Sequence, residues 1–236
     1  MHIELRQQPT QAIAHVHLAA EEELITQAGS LIGLKGSLAI NTFMRRGGDT
    51  GKRKLFQAQT KPLFLQSFKA GSEEAELYLA PSLIGNLAQY EMNKYKFIIR
   101  HSSYLASSGK IEIFIGFENF KAKAGMENST WLSLVGDGLV IVSGLGGVYP
   151  VEIEDQYSVN LEHVVAFENT LKTKIISDNK GWTGSGSQEV ICQFRGQGLL
   201  YCQTHRPKAM AKLLEKESLP DDFKLQNRSE SFKLKG

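Results

Sequence analysis

The amino-acid sequence predicts an all-β protein with one short C-terminal helix, and three observations lead to this fold class. Short β-branched or aromatic runs separated by Gly, Ser or Asn recur along the chain, a pattern typical of strands. Apolar residues at helical spacing are nearly absent before residue 206. One pattern also recurs three times. We therefore expect an antiparallel β-sandwich or β-prism built of three pseudo-repeats.

The repeat has two parts in each copy. The first part begins at residues 29, 102 and 162, so its starts lie 73 and 60 residues apart, as GSLIGLKGSLAI, SSYLASSGKIEI and EHVVAFENTLKTKI. The second begins at residues 77, 139 and 199, which are 62 and 60 residues apart, as LYLAP, LVIVS and LLYCQ. The interpretation is one all-β domain over residues 1–205, with units at about 18–81, 92–150 and 151–205. Three small sheets that cannot bury an apolar face alone are expected to share one core.

The segment after the domain, residues 206–236, predicts a short helix and a polar tail. Pro207 suits a first helical turn, and Met210, Leu213 and Leu214 share one helix face. Whether the tail over residues 217–236 is ordered is left open by its composition.

Glycine-rich stretches raise the question of a phosphate-binding loop, and their spacing argues against one. VGDGLVIVSGLGGVYP (135–150) places Tyr149 where a dinucleotide fingerprint starting at Gly144 needs its third glycine, and no helix start follows. The alternative is that Gly136 and Gly138, echoed by Gly196 and Gly198, are structural turn glycines with positive φ.

A basic segment at residues 45–54, RRGGDTGKRK, is the strongest candidate for a contact with polyanions. It fails as a P-loop because Arg occupies positions 46 and 53. We interpret it as an exposed loop or hairpin tip that touches phosphates by charge or only keeps the protein soluble. Its candidate contact residues are Arg45, Arg46, Lys52, Arg53 and Lys54.

Metal and catalytic sites are not expected. His15 and His17 share a strand face and provide half of a metal site, but no carboxylate or cysteine stands at a chain spacing that completes it. We therefore expect no metal and no cofactor. Neither a nucleophile elbow nor a catalytic constellation is recognisable, and Glu152, Glu154 and Asp155 are interpreted as a solvated face.

The two cysteines, Cys192 and Cys202, flank a Gly196-Gln197-Gly198 turn. If the flanking strands form a hairpin, the two thiols face each other and a disulfide is conceivable. The alternative is a pair of reduced cysteines that fill the core of a cytosolic protein.

Composition sets the broad class of the protein. The chain of 236 residues carries a net charge of +2, and its pI of about 8.4 is too low to argue for nucleic acid by itself. The N-terminal residues resemble neither a signal peptide nor a transit peptide. The expected location is the cytoplasm.

An ordered set of segments resembles the altered-inheritance-of-mitochondria protein 24 family, which is similar in fold to the tryptophan RNA-binding attenuation protein. The segments are EEELITQAGSLIGLKG, SSYLAS, GDGLVIVSGLGGVYPVEI, EHVVAFENTLKTKI and FRGQGLLYCQTHRPKAMAKLL, and the match runs from about Glu21 to Leu214. The resemblance implies a β-sandwich or β-prism, a tendency to form homo-oligomers and no established enzymatic activity. No position matches the tryptophan- or RNA-binding residues of the attenuation protein, so the likeness to it is one of fold.

We therefore expect a non-catalytic scaffold or binding module that acts as a homo-oligomer, with a protein or a membrane surface as its further partner. The alternatives are nucleic-acid binding through the basic segment, and small-molecule binding between sheets or subunits.

Overall fold

The computed structural model describes residues 1–8, 11–46, 62–82, 84–93, 95–117, 131–177 and 190–216. These residues contain nineteen strands, one α-helix and two short 3-10 turns, at His101–Ser103 and Leu161–His163. The first strands are β1 (His2–Arg6), β2 (Ile13–Leu18), β3 (Glu23–Gln27), β4 (Leu31–Lys35), β5 (Leu38–Arg45), β6 (Leu63–Ala70), β7 (Ala75–Leu79), β8 (Leu87–Met92), β9 (Phe97–Arg100) and β10 (Tyr104–Ser108). The remaining elements are β11 (Glu112–Ile115), β12 (Trp131–Val135), β13 (Gly138–Ser143), β14 (Val148–Ile153), β15 (Gln156–Asn160), β16 (Val164–Glu168), β17 (Lys172–Ser177), β18 (Val190–Arg195), β19 (Gly198–Gln203) and α1 (Pro207–Lys216). The all-β fold class with one short helix is confirmed.

The described strands form four antiparallel sheets rather than the three that the sequence led us to expect. The first sheet has the order β1-β2-β7-β4, and the second has the order β5-β6-β3-β10-β13-β8. The third sheet has the order β11-β12-β9-β16-β19-β14, and the fourth has the order β15-β18-β17. The difference arises because consecutive parts of the chain contribute strands to the same sheet.

Two kinds of strand triplet account for the four sheets. We call β3-β6-β5, β9-β12-β11 and β15-β18-β17 type-1 triplets, and β4-β7-β2, β10-β13-β8 and β16-β19-β14 type-2 triplets. The second and third sheets each contain one triplet of each type, joined by β3·β10 and by β9·β16. The first sheet contains a type-2 triplet with β1 added, and the fourth sheet is a type-1 triplet alone.

Buried apolar residues form three clusters among the described residues, not one shared core. One cluster lies between the first and second sheets and includes Val16, Leu77 and Phe68. The next lies between the second and third sheets, and the last, which includes Phe167 and Phe194, lies between the third and fourth. The two six-stranded sheets are therefore buried on both faces, which explains the continuous apolar runs such as VVAF in their strands.

Turns carry the chain between sheets at the glycines that the sequence singled out. β12 and β13 lie in different sheets, as do β18 and β19, so neither pair is a hairpin. Gly136 and Gly196, in these turns, have φ values of +128° and +115°, in the left-handed region that favours glycine. Gly138 and Gly198 begin the strands that follow.

The condition for facing thiols, a hairpin across the two cysteines, is thus not met, although both residues face the same cluster. Cys192 lies in the fourth sheet and Cys202 in the third, and both are free thiols buried in the cluster between these sheets. Burial raises the pKa of each thiol to about 12. The interpretation of reduced, core-filling cysteines therefore agrees with their positions.

Helix α1 begins at Pro207, as the sequence suggests, and Met210 is half-buried. The side chains of Leu213 and Leu214, and the tail over residues 217–236, lie outside the described residues. Within the described part of the chain, no helix combines the length and the apolar character needed to cross a membrane.

Candidate functional site

The basic segment is only partly described, and its first residue differs from expectation. Arg45 is the last residue of β5, paired with Leu63 of β6, and its guanidinium lies 5.9 Å from the centre of the Phe43 ring. It is therefore a half-buried strand residue and not part of an exposed loop. Arg46 follows it and is exposed, whereas Lys52, Arg53 and Lys54 lie outside the described residues. A contact with polyanions at this segment stays a prediction.

A shallow surface pocket of about 490 Å³ is lined by two of the three carboxylates interpreted as a solvated face, and by Glu168. Glu152 and Glu154 stand on one side of it and Glu168 on the other. Glu168 accepts hydrogen bonds from the Tyr90 hydroxyl at 2.6 Å and from the Leu199 backbone N–H at 3.0 Å. One oxygen thus links the third sheet to the second through Tyr90, and the other binds the neighbouring strand β19 of the same sheet, which favours a structural role for this carboxylate.

Arg100 shows how the joint between triplets in the third sheet is built. Its guanidinium donates to the backbone carbonyls of Val164 at 3.0 Å and Leu161 at 2.5 Å, and it lies 5.0 Å from the centre of the Trp131 ring. Burial lowers the pKa of this guanidinium to about 10. The side chain therefore crosses from β9 to the segment that leads into β16, and it satisfies carbonyls that would otherwise be buried without partners.

We call the strands through which two triplets pair the joining strands, and two strands equivalent to them lie at sheet edges. In the second and third sheets the joining strands β3, β10, β9 and β16 lie in the middle of the sheet. The corresponding strand of the first sheet is β4, and that of the fourth sheet is β15, and each is the outermost strand of its sheet. On β4 the side chains of Ile32 and Leu34 are 59% and 42% exposed. A strand whose outer edge has no partner and whose apolar side chains are exposed is a surface suited to pairing with another strand.

The outer face of the first sheet carries a cluster of histidines and glutamates. Glu4 of β1 lies opposite His15 of β2, and His2 lies opposite His17. One ligand atom from each of Glu4, His15 and His17 lies within 4.8 Å of the others. The expectation of half a metal site considered spacing along the chain alone, and the structure adds a carboxylate from the neighbouring strand.

The positions of His15 and its neighbours are closely defined. The His15 ring stacks on Tyr78 at 4.1 Å and contacts His17 at 4.0 Å between ring centres. His15 Nε2 lies 3.1 Å from Glu76 Oε2. Hydrogen bonds from Lys35 and then from His15 hold the pKa of Glu76 below its ordinary value, so this carboxylate is ionised at neutral pH.

The fold and these surfaces define an all-β protein of stacked sheets in which the terminal sheets have four and three strands and the inner sheets have six. Residues 3–205 match the model of a protein family described as mitochondrial biogenesis AIM24. Since the match spans most of the chain, the protein belongs to the AIM24 family. The resemblance seen in the sequence is thereby confirmed.

A solved structure supports the same fold. The crystal structure of protein SPYM3_0169 from Streptococcus pyogenes is 18% identical, covers 91% of this chain and 98% of its own, and superposes with a TM-score of 0.72. At that identity the likeness speaks for the fold alone. No curated protein matches this chain.

Proposed function

We propose that the protein is a non-catalytic scaffold whose copies associate head to tail through the free edges β4 and β15. The observation that carries this proposal concerns the strands that join one triplet to the next. In the second sheet β3 pairs with β10, and in the third β9 pairs with β16, whereas the equivalent strands β15 and β4 have no such partner among the described strands. A type-1 triplet without a partner stands at one end of the chain, and a type-2 triplet without a partner stands at the other.

The proposal interprets the chain as three copies of a six-strand unit. Each unit contributes a type-2 triplet to one sheet and a type-1 triplet to the next, in the strand order observed. Equivalent side chains support this interpretation: Leu139 N donates to Ser108 Oγ at 2.8 Å, and Leu199 N donates to Glu168 Oε2 at 3.0 Å, at positions 60 residues apart. A tandem array of such units leaves one joining strand without a partner at each end, and among the described strands these are β4 and β15.

The register of the joint between copies follows from the two that are observed. β3 and β10 pair Thr26 with Ala106 and Ile25 with Ser107. β9 and β16 pair Ile99 with Ala166 and Ile98 with Phe167.

Transferred to the free edges, the same register places Val159 opposite Gly33 and Ser158 opposite Leu34. Pairing at this edge would cover Leu34 and satisfy the outward backbone groups of both strands. Because the two surfaces differ, the contact is heterologous and generates a ring if it closes.

The first experiment compares the solution mass of the chain with that of two lysine variants by light scattering. We expect the unmodified chain to exceed the monomer mass of 26.2 kDa. Leu34→Lys places a charge in the joint and should yield monomers, since an edge lysine opposes strand pairing. Ile40→Lys is the matched control, because Ile40 is 51% exposed on β5, an edge that the proposal leaves free.

Disulfide trapping between copies tests the register. A mixture of the single variants Leu34→Cys and Ser158→Cys should form a mixed disulfide under mild oxidation, whereas neither variant alone should. An Ile40→Cys variant mixed with Ser158→Cys is the control and should stay reduced. A monomeric chain at all concentrations, or a Leu34→Cys variant that links to itself, would overturn head-to-tail association.

A further inference from the structure

We propose that Glu4, His15 and His17 bind a divalent transition-metal ion of the zinc class on the outer face of the first sheet. Two imidazoles and one carboxylate are a donor set that zinc accepts, with a further position left for solvent. This inference is independent of head-to-tail association, because the ligands lie on β1 and β2 and not on β4 or β15.

The strongest observation is the state of His15 Nδ1. His15 is 3% exposed, and among the described residues no group forms a hydrogen bond with Nδ1. Glu4 Oε2 lies 3.8 Å from this nitrogen. A buried ring nitrogen without a partner, aimed at a carboxylate, is a position that a metal ion would satisfy.

The tautomer of His15 favours coordination through Nδ1. A carboxylate accepts hydrogen bonds, so the distance of 3.1 Å between His15 Nε2 and Glu76 Oε2 assigns the proton to Nε2. In a neutral ring Nδ1 then carries the lone pair. A histidine that binds a metal through one nitrogen and donates to a carboxylate through the other is the usual arrangement of metal sites.

Glu4 is also held in place by a neighbour. Arg6 Nη2 and Nε donate to Glu4 Oε2 at 2.6 and 3.0 Å. The other oxygen, Oε1, lies 3.7 Å from His2 Nε2. Arg6 therefore orients the carboxylate so that Oε2, the oxygen it binds, lies 3.8 Å from His15 Nδ1, as second-shell partners do in known sites.

The geometry requires only small side-chain adjustments. A tetrahedral zinc ion with bonds of about 2.0–2.2 Å separates its ligand atoms by roughly 3.3 Å. The three ligand atoms here lie within 4.8 Å of one another. Glu4 and His17 are half-buried, so their side chains can rotate toward the fixed His15 without disturbing the core.

The test is a zinc titration of the full chain, stripped of metal and carrying no histidine tag, by calorimetry and by native mass spectrometry. We expect one Zn²⁺ per chain. Glu4→Gln and His17→Ala each remove a ligand and should weaken binding by more than tenfold. Glu76→Gln acts through His15 and should weaken binding by about 10- to 100-fold.

Controls separate a metal site from ordinary surface binding. Glu112→Gln removes an exposed carboxylate from the edge strand β11 and should leave zinc affinity unchanged. Unfolding midpoints of all variants without zinc show whether each one folds. The Co²⁺-loaded chain should show d–d absorption that the Glu4→Gln and His17→Ala variants lose.

Two results would overturn the proposal. One is that the metal-free chain takes up no stoichiometric zinc. The other is that both ligand variants bind zinc as tightly as the unmodified chain does. The Leu34→Lys variant distinguishes the two proposals, since it should lose association while it retains one zinc per chain.

Discussion

The two six-stranded sheets and the two terminal sheets are made of the same kinds of strand triplet, yet they differ in how the joining strands are used. In the six-stranded sheets the joining strands pair in the interior, β3 with β10 and β9 with β16, and Arg100 at the end of β9 donates to carbonyls of the segment that leads into β16. In the terminal sheets β4 and β15 lie at an edge. The comparison teaches that β4 and β15 are equivalent to strands that are paired on both sides in the inner sheets, and stability is expected to fall from the middle of the stack to its ends.

The largest expected contrast is between equivalent apolar side chains in an interior and an edge joining strand. Ile99 is fully buried in β9, whereas Val159 in β15 is half-buried. Ile99→Ala should lower the free energy of unfolding by about 2–5 kcal/mol, because it leaves a cavity. Val159→Ala should lower it by roughly 1 kcal/mol in the monomer. Denaturant unfolding of both variants in the Leu34→Lys background measures the contrast.

An equal loss for the two variants would mean that β15 is packed as tightly as β9 and has no free edge. If the two losses differ in the Leu34→Lys background but converge in the unmodified chain, association covers Val159. That outcome would show that the difference in unfolding free energy between the two variants is a property of the monomer and is removed by association.

A smaller contrast concerns the glycine turns that carry the chain between sheets. A Cβ at Gly136 would lie 2.8 Å from the Lys110 carbonyl oxygen, whereas at Gly196 the nearest atom, the Thr170 carbonyl oxygen, would lie at 3.4 Å. Both residues have positive φ. We expect Gly136→Ala to lower stability by roughly 3 kcal/mol and Gly196→Ala by roughly 1 kcal/mol. Thermal unfolding should show a clearly lower midpoint for Gly136→Ala, and the reverse order would contradict the geometry.

The sequence was sufficient for the all-β class and for the helix that begins at Pro207, because those signals are local. It could not assign strands to sheets. Around Gly196-Gln197-Gly198 the flanking strands look like a hairpin, but β18 and β19 belong to different sheets. Alternation along a strand reports which residues share a face and carries no information about which strand lies alongside.

The histidine cluster was missed for the same reason. His15 and His17 are two residues apart and were recognised, but Glu4 reaches them across the β1·β2 pairing. A signal was present, since His2 and Glu4 alternate in the same way on the preceding strand. Pairing the two alternating segments as a hairpin would have placed all four side chains on one face.

The smallest expected effect is a difference in labelling rate between the two buried cysteines under native conditions. Burial raises the pKa of both thiols to about 12, so at neutral pH each is almost wholly protonated and reacts only after the sheet around it opens. Cys192 lies in the three-stranded fourth sheet and Cys202 in the six-stranded third sheet. Cys192 should therefore react first with a maleimide, as followed by peptide mass mapping. The Leu34→Lys variant should widen the difference by removing the partner strand from β15, whereas equal rates in that variant would show that the fourth sheet opens only when the whole domain unfolds.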